Sequence, residues 1–359
     1  MMLPEQFKTA HDLCYANHDV MLHLLNGGFC NNSFCMLVDL SEEDQPPQFE
    51  TNEDLFSWLD TPGHHQTRAE ILRCTVFPAV LGDFLHFVYE ALRCSQKTKL
   101  TVAIALLRKP LQDSLGLLET IFVDLLGFAS KMVEKPADLN VKRSGGKPDE
   151  HVRRIGAVLD VLDEQRRFDA EFLAQVRYSR GAEDSFAGSF DKALHLFTSN
   201  KNIETEKLNL NFIFSGPDAW HTQRSYIYSR LPYVLCYARL LVEAVFSTID
   251  NGTDPVYLDD IERRISAATM LWSETIVDPY RCSQLDAHVQ ETWSRLMRDC
   301  QSAGFRTPTR SDLLRMSASG AWPGELWIDV KRRLLRYRVS VMLSKVAQQR
   351  ASSWVRRNV

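Results

Sequence analysis

The chain has 359 residues, of which 45% are apolar and 25% charged, and a net charge of −4. Those values belong to a globular protein with a sizeable core and exclude a largely disordered, collagen-like or disulfide-stapled chain. The eight cysteines, at 14, 30, 35, 74, 94, 236, 282 and 300, form no C-x-x-C pair, so neither a zinc knuckle nor a disulfide framework is expected.

The opening residues, MMLPEQFKTAHDL, lack a basic stretch followed by an apolar run, so no secretory leader is expected. Phe7, Leu13, Val20 and Leu24 recur at helical spacing and predict a helix over 5–25, stopped by Asn26-Gly27-Gly28. His11, Cys14 and His18 share a face of it. His11 and His18 lie about 10.5 Å apart along the axis. That is too far for all three to reach one ion, since each ligand must sit about 2.0–2.3 Å from it, so no metal site is expected. Residues 26–66 are loop-rich, with a short helix over 52–60 and a candidate strand over 34–40.

Arg68 to Leu92 reads as an apolar helix with Pro78 as a kink. Its most apolar part, 76–92, is interrupted by Asp83, His86 and Glu90, so no transmembrane segment is expected and the location reads as cytoplasmic. Thr98 to Ser130 is the most hydrophobic region, a helix buried on more than one face, with Pro110 inside it. Residues 131–150, with their prolines and Ser144-Gly145-Gly146, read as a linker. Helices are predicted over 151–178 and 190–197. Leu208, Leu210, Phe212 and Phe214 alternate with polar residues and predict a strand to pair with 34–40. Further helices are predicted over 221–249, 257–277, 282–300, 306–316 and 325–349.

Helix dominates and strand–helix alternation is absent, so the expected fold class is mainly α, an irregular multi-helix bundle with room for one small two-stranded β element. The expected division is an N-terminal helical lobe, 1–135, with a loop-rich insertion near 26–66. A C-terminal lobe, 150–359, would end in a basic amphipathic helix.

Few motifs for chemistry survive inspection. Ser144-Gly145-Gly146-Lys147 lacks the upstream glycine of a phosphate-binding loop, and His64-His65 belongs to no H-E-x-x-H. No cofactor is expected. Leu106-Leu107-Arg108, Leu111 and Leu115 to Glu119 form a run that resembles the core helix of HEPN-like bundles in prokaryotic defence and toxin–antitoxin proteins. The resemblance implies a helical bundle, a role in antiviral defence and, as one alternative, metal-independent ribonuclease activity. HEPN nucleases carry Arg, four to six residues, then His. Arg281 and His288 fit, and the likeness implies that one stabilises charge on the phosphate while the other moves a proton. Gln112 departs from the pattern, standing where an acid is expected. The alternative for Arg108, Asp113, Glu119 and Asp124 is a set of polar groups satisfied inside a bundle. His221, Arg224, Tyr226, Tyr228 and Arg230 form either a base-stacking, phosphate-holding surface or a packed helix edge.

The closing segment, 331–359, carries nine Lys or Arg and no Asp or Glu, so the rest of the chain is distinctly acidic. On a helix, Arg332, Arg333 and Arg336 form a basic stripe beside an apolar one of Leu335, Val339, Met342 and Val346. Three readings follow: docking on the acidic body, binding of nucleic acid through Arg332, Arg333, Arg336, Arg338, Lys345 and Tyr337, or binding of an anionic membrane or another protein. The expected function is therefore a non-catalytic intracellular interaction protein, a regulatory or defence component. Its expected partner is a protein, a second copy, or nucleic acid, with ribonuclease activity as the alternative.

Overall fold

The computed structural model describes residues 3–36, 58–59, 64–139, 148–182, 185–199, 201, 204–211, 216–250 and 254–335. Twelve α-helices and no strand occur among the described residues, so the fold is mainly α. They are α1 (Lys8–Cys30), α2 (His65–Gln96), α3 (Leu100–Arg108), α4 (Leu115–Val123), α5 (Leu125–Glu134) and α6 (Pro148–Leu162). Then follow α7 (Ala170–Tyr178), α8 (Phe186–Leu194), α9 (Pro217–Ile249), α10 (Pro255–Ser273), α11 (Ser283–Ser302) and α12 (Arg310–Ser319). Residues 327–335 are also helical.

The compact units do not follow the expected division near 131–150. One comprises 1–251 and 276–288, the other 252–275 and 289–359. The reason is packing: α6 lies against α4, α7 and α9, which ties the segment after the linker into the first unit.

In the first unit α9 is the central element. Every residue from Arg224 to Arg239 is buried. A helix covered on all sides needs neighbours all round, and α1, α3, α4 and α6 supply them. Helix α1 runs past Gly27 and Gly28 to Cys30, beyond the expected stop. Gly28 lies against Phe34 and Phe246, and a Cβ there would overlap the Phe34 ring, so its role is close approach rather than termination. His11 and His18 are buried: the His11 ring meets the Tyr228 hydroxyl at 2.8 Å, and His18 Nδ1 meets Asp19 at 2.9 Å. No metal-ligating cluster occurs among the described residues. Cys14, Cys236 and Cys300 are buried, whereas Cys30 and Cys35 are exposed.

By length and composition α2 and α9 are apolar enough to cross a membrane. Within the unit, however, α9 buries Arg224, Arg230 and Arg239, and α2 and α9 each pack against other helices. Core helices pass the same test.

The two candidate strands do not form in their described parts. Residues 34–36 and 208–211 are turn and loop, and 37–40 and 212–214 lie outside the described residues. Leu208 has φ +63° and is fully exposed. Asn211 turns its amide back to the His195 carbonyl (2.9 Å) and to Thr198 Oγ1 (2.7 Å), closing a loop where a ladder was expected. The helix expected over 151–178 is two helices, broken where Asp163 takes φ +53° and Asp169 caps α7.

The second unit is organised by α10 and α12, around Ala267, Met270, Leu271, Leu296, Cys300, Leu313 and Met316. Thr309 and Asp312 close a capping box at the start of α12, and Gly320 ends it in the left-handed conformation (φ +65°). Burial pushes the Asp312 carboxyl up, but hydrogen bonds from Thr309 and Arg306 win and hold it at about 2. Asp260 accepts from Arg263 (2.8 Å), Arg264 (2.7 Å) and Arg333 (2.5 Å). A Cβ on Gly320 would overlap that Asp260 carboxylate, whereas one on Gly304 (φ +79°) meets open space. Both substitutions strain the backbone, by about 1–3 kcal/mol. Gly320→Ala is therefore expected to destabilise the protein clearly more than Gly304→Ala in chemical denaturation. Equal losses would show that the contact with Asp260 is unimportant.

Candidate functional site

The most polar buried cluster of the first unit starts from a fault in a helix. Pro110 has no N–H to give to the ladder. Between α3 and α4 the chain widens into a π-turn, Lys109–Ser114, in which Leu115 N–H bonds back to the Pro110 carbonyl. Such insertions are frequent at functional sites. Here the turn presents the Leu111 and Gln112 carbonyls to α7. Arg177 Nε donates to Leu111 O (2.7 Å), Tyr178 OH to Gln112 O (3.0 Å), and Gln112 Nε2 to Arg177 O (2.6 Å).

One turn further on, Glu119 projects from α4 with no solvent exposure. Its carboxylate accepts from Arg177 Nη1, from Arg154 Nε (2.8 Å) and from Tyr237 OH (3.0 Å). Burial alone would push this carboxyl up; Arg177 and Arg154 outweigh it and hold it below the usual carboxylate range. Arg154 Nη2 donates to His151 Nδ1 (3.1 Å). An arginine only donates, so the neutral ring carries its proton on Nε2. Burial, then the Arg154 and Arg177 charges, lower His151 to about 4. Its ring stacks on Tyr178 at 3.7 Å, and burial raises the Tyr178 hydroxyl to about 12.

A cavity of about 780 Å³ lies over this cluster. Gln112 from the π-turn, His151 and Val152 from α6, Ala174, Gln175 and Tyr178 from α7, and Ala187 and Asp191 from α8 line it, with Arg108 and the 179–182 loop. A second hollow of about 510 Å³ shares Arg108, Arg180 and Asp191 and adds His195, Phe197, Thr198 and Ser199. Arg180 pairs with Asp191 at 3.2 Å. Arg108 is half-buried on the wall common to both hollows and makes no hydrogen bond or ion pair among the described residues.

The residues singled out from sequence are distributed differently. His288 has no exposure; its Nδ1 meets the Arg167 carbonyl at 3.1 Å and its ring packs on Phe168 and Tyr233. Arg281 is partly exposed and sits near Asp278 and Asp286, at 3.7 and 3.9 Å. A scissile phosphate has no route to an enclosed imidazole, so this geometry does not build the Arg/His constellation. Arg224 and Arg230 are buried and donate to Thr98 Oγ1 (2.6 Å) and Tyr280 O (2.7 Å), the packed helix edge rather than a nucleic-acid surface. In the second unit Arg333 is held by Asp260, Glu325 and the Gly320 carbonyl, while Arg332 is 66% exposed beside Asp329. Arg336, Tyr337, Arg338 and Lys345 lie outside the described residues. Of the polar set in 108–124, Glu119 is satisfied inside the bundle, whereas Asp124 is exposed and caps α5. His151, Tyr178 and Arg180 were not singled out, and no motif marks them.

No known family model matches the chain, and no curated protein or solved structure is detectably similar to it.

Removing one partner of a buried ion pair leaves an uncompensated charge, at a cost of about 3–5 kcal/mol. Glu119→Leu, which leaves Arg177 and Arg154 facing each other without their carboxylate, is expected to destabilise on that scale, and clearly more than Arg177→Met, which keeps the Glu119–Arg154 pair, in urea unfolding. Equal losses in the two variants would show that the charge balance is unimportant.

His151 gives a pH signature. Unfolded, it takes a proton near 6.5; folded, only at about 4. Its contribution is complete above pH ~6.5 and is lost as pH falls towards 4, by on the order of 2–3 kcal/mol. His11, also lowered to about 4 by burial, adds to the effect. Unfolding free energies measured between pH 7 and pH 4.5 are expected to fall less steeply in His151→Asn than in the unsubstituted protein.

Proposed function

We propose that this chain is a non-catalytic helical binding protein whose cleft, in the first unit, takes a small molecule with a planar hydrogen-bonding part and an anionic end. A mononucleotide is the simplest such ligand. The observation that carries this reading is Arg108, a half-buried guanidinium on the wall shared by two adjoining hollows, with no partner among the described residues. A desolvated arginine is a strong, directional donor to phosphate or carboxylate. Beside it, Arg180 and the hydroxyls of Thr198 and Ser199 suit the anionic end. Gln112, Gln175, neutral His151 and the Tyr178 ring suit the planar part.

Binding is favoured over acid–base chemistry by the titration of the cluster. A proton-transfer group works best with a pKa near the operating pH. His151 at about 4, Tyr178 at about 12 and the doubly paired Glu119 are all far from it. This reading keeps the interaction role expected from sequence and adds a cleft in the first unit as a place for it.

Isothermal titration with a panel of purine and pyrimidine mononucleotides, and with inorganic phosphate, tests the reading. A charge-assisted contact contributes about 1.5–3 kcal/mol, so Arg108→Ala is expected to weaken binding by on the order of tenfold or more with an unchanged unfolding midpoint. No heat from any mononucleotide, or equal affinity in Arg108→Ala, overturns it.

A further inference from the structure

The second unit carries a surface of unusual composition. Leu326, Trp327, Ile328 and Leu335 are 66%, 56%, 52% and 62% exposed, a concentration of large apolar side chains within ten residues. With Trp327 at zero on a helical wheel, Lys331, Leu335, Ile328 and Arg332 fall at roughly 40°, 80°, 100° and 140°. Lys331 and Arg332 are exposed on that same arc, and the Lys331 ammonium lies 5.6 Å from the Trp327 ring centre. The opposite side holds the helix down. Val330 is fully buried, and Arg333 is locked on Asp260, Glu325 and the Gly320 carbonyl. The arrangement inverts an ordinary surface helix, because the outward face is the apolar one and the charges interleaved with it are basic.

We infer that this face, Leu326 to Leu335, docks on an anionic lipid surface. Charge complementarity selects the occupant. From Lys331 onward the sequence holds nine Lys or Arg and no acid, and the three-and-four spacing of apolar residues runs on through Val339, Met342 and Val346. A second copy of the same segment would bring like charges together. A nucleic acid would engage the basic groups but gain little from exposed Leu, Ile and Trp, since its affinity comes mainly from phosphate neutralisation. A lipid interface uses both components: the apolar side chains and the indole enter the headgroup–acyl boundary, and the cations meet anionic headgroups. Locking Arg333 internally leaves Lys331 and Arg332 outward, so the helix is presented rigidly rather than folded on contact. Within 326–335 the one acid is Asp329, whose exposed pair with Arg332 at 3.3 Å is easily exchanged for a headgroup.

Co-sedimentation of the full chain with vesicles of phosphatidylcholine and phosphatidylserine, and with phosphatidylcholine alone, tests the inference. Binding is expected to the mixed vesicles only, and to weaken in high salt. Each cation near such a surface contributes roughly fivefold, so Lys331→Glu with Arg332→Glu should lower the partition coefficient by on the order of tenfold or more. Ile328→Asn with Leu335→Gln should also lower it, with the charge intact; all four sites are exposed, and circular dichroism checks that the fold survives. Failure to pellet with anionic vesicles overturns the proposal, as does binding that either double variant leaves unchanged. Duplex RNA or DNA bound in a way that ignores the Ile328 and Leu335 substitutions would assign the face to nucleic acid. A concentration-dependent dimer abolished by those substitutions would assign it to a second copy.

Discussion

A carboxylate with no access to water is the constraint on which the first unit rests. Glu119 is stable as an ion only while Arg177 and Arg154 stay beside it and Tyr237 donates to it. Those four groups come from α4, α7, α6 and α9, so one charge ties together four helices that are distant in sequence. Desolvating an ion is costly, and the cost is offset only with good geometry. The Leu111 and Gln112 carbonyls opened by the π-turn help to supply it, since they fix Arg177 and Tyr178 from behind. Pro110, which reads in sequence as a helix fault, is thus what lets the neighbouring turn act as a hydrogen-bonding surface.

That base bears on the binding proposed for the cleft above it. A ligand site is most effective when its polar groups are already oriented, because little ordering remains to be done on association. His151 is held by Arg154 on one side and by the Tyr178 ring on the other, in a defined tautomer. The same logic separates the arginines. Arg177, Arg224, Arg230, Arg263 and Arg333 are engaged with carboxylates, carbonyls or hydroxyls of the chain. Arg108 is half-buried on the cleft wall with no partner among the described residues, and Lys331 and Arg332 are exposed on the apolar edge. Counting cations along a chain therefore overstates the surface available to an anion.

Much of the architecture was legible. Three-and-four spacing located nearly every helix, because a buried stripe must recur with the helical period. Boundaries were weaker where a local signal competed with packing. Gly28 reads as a stop but serves the approach of Phe34, and the break between α6 and α7 carries no glycine or proline. The alternation at 208–214 failed as a strand signal over its described part because period two says nothing about a partner. At the candidate site, Arg108 and Glu119 stood out within one hydrophobic helix, whereas His151, Tyr178 and Arg180 carry no motif and come from elements far along the chain. The Arg281 and His288 pair had the right spacing and the wrong environment, since exposure is not encoded in spacing.

By itself the sequence determined the class of fold, the mainly helical course of the chain and the concentration of positive charge in its closing segment. Periodicity and composition are local properties, and a single chain displays them without reference to its partners in space. The tertiary structure alone decided which polar groups are neutralised within the protein and which face a cleft or solvent. That choice depends on distances between residues tens to hundreds of positions apart, and on the loss of water around them, neither of which a linear pattern contains.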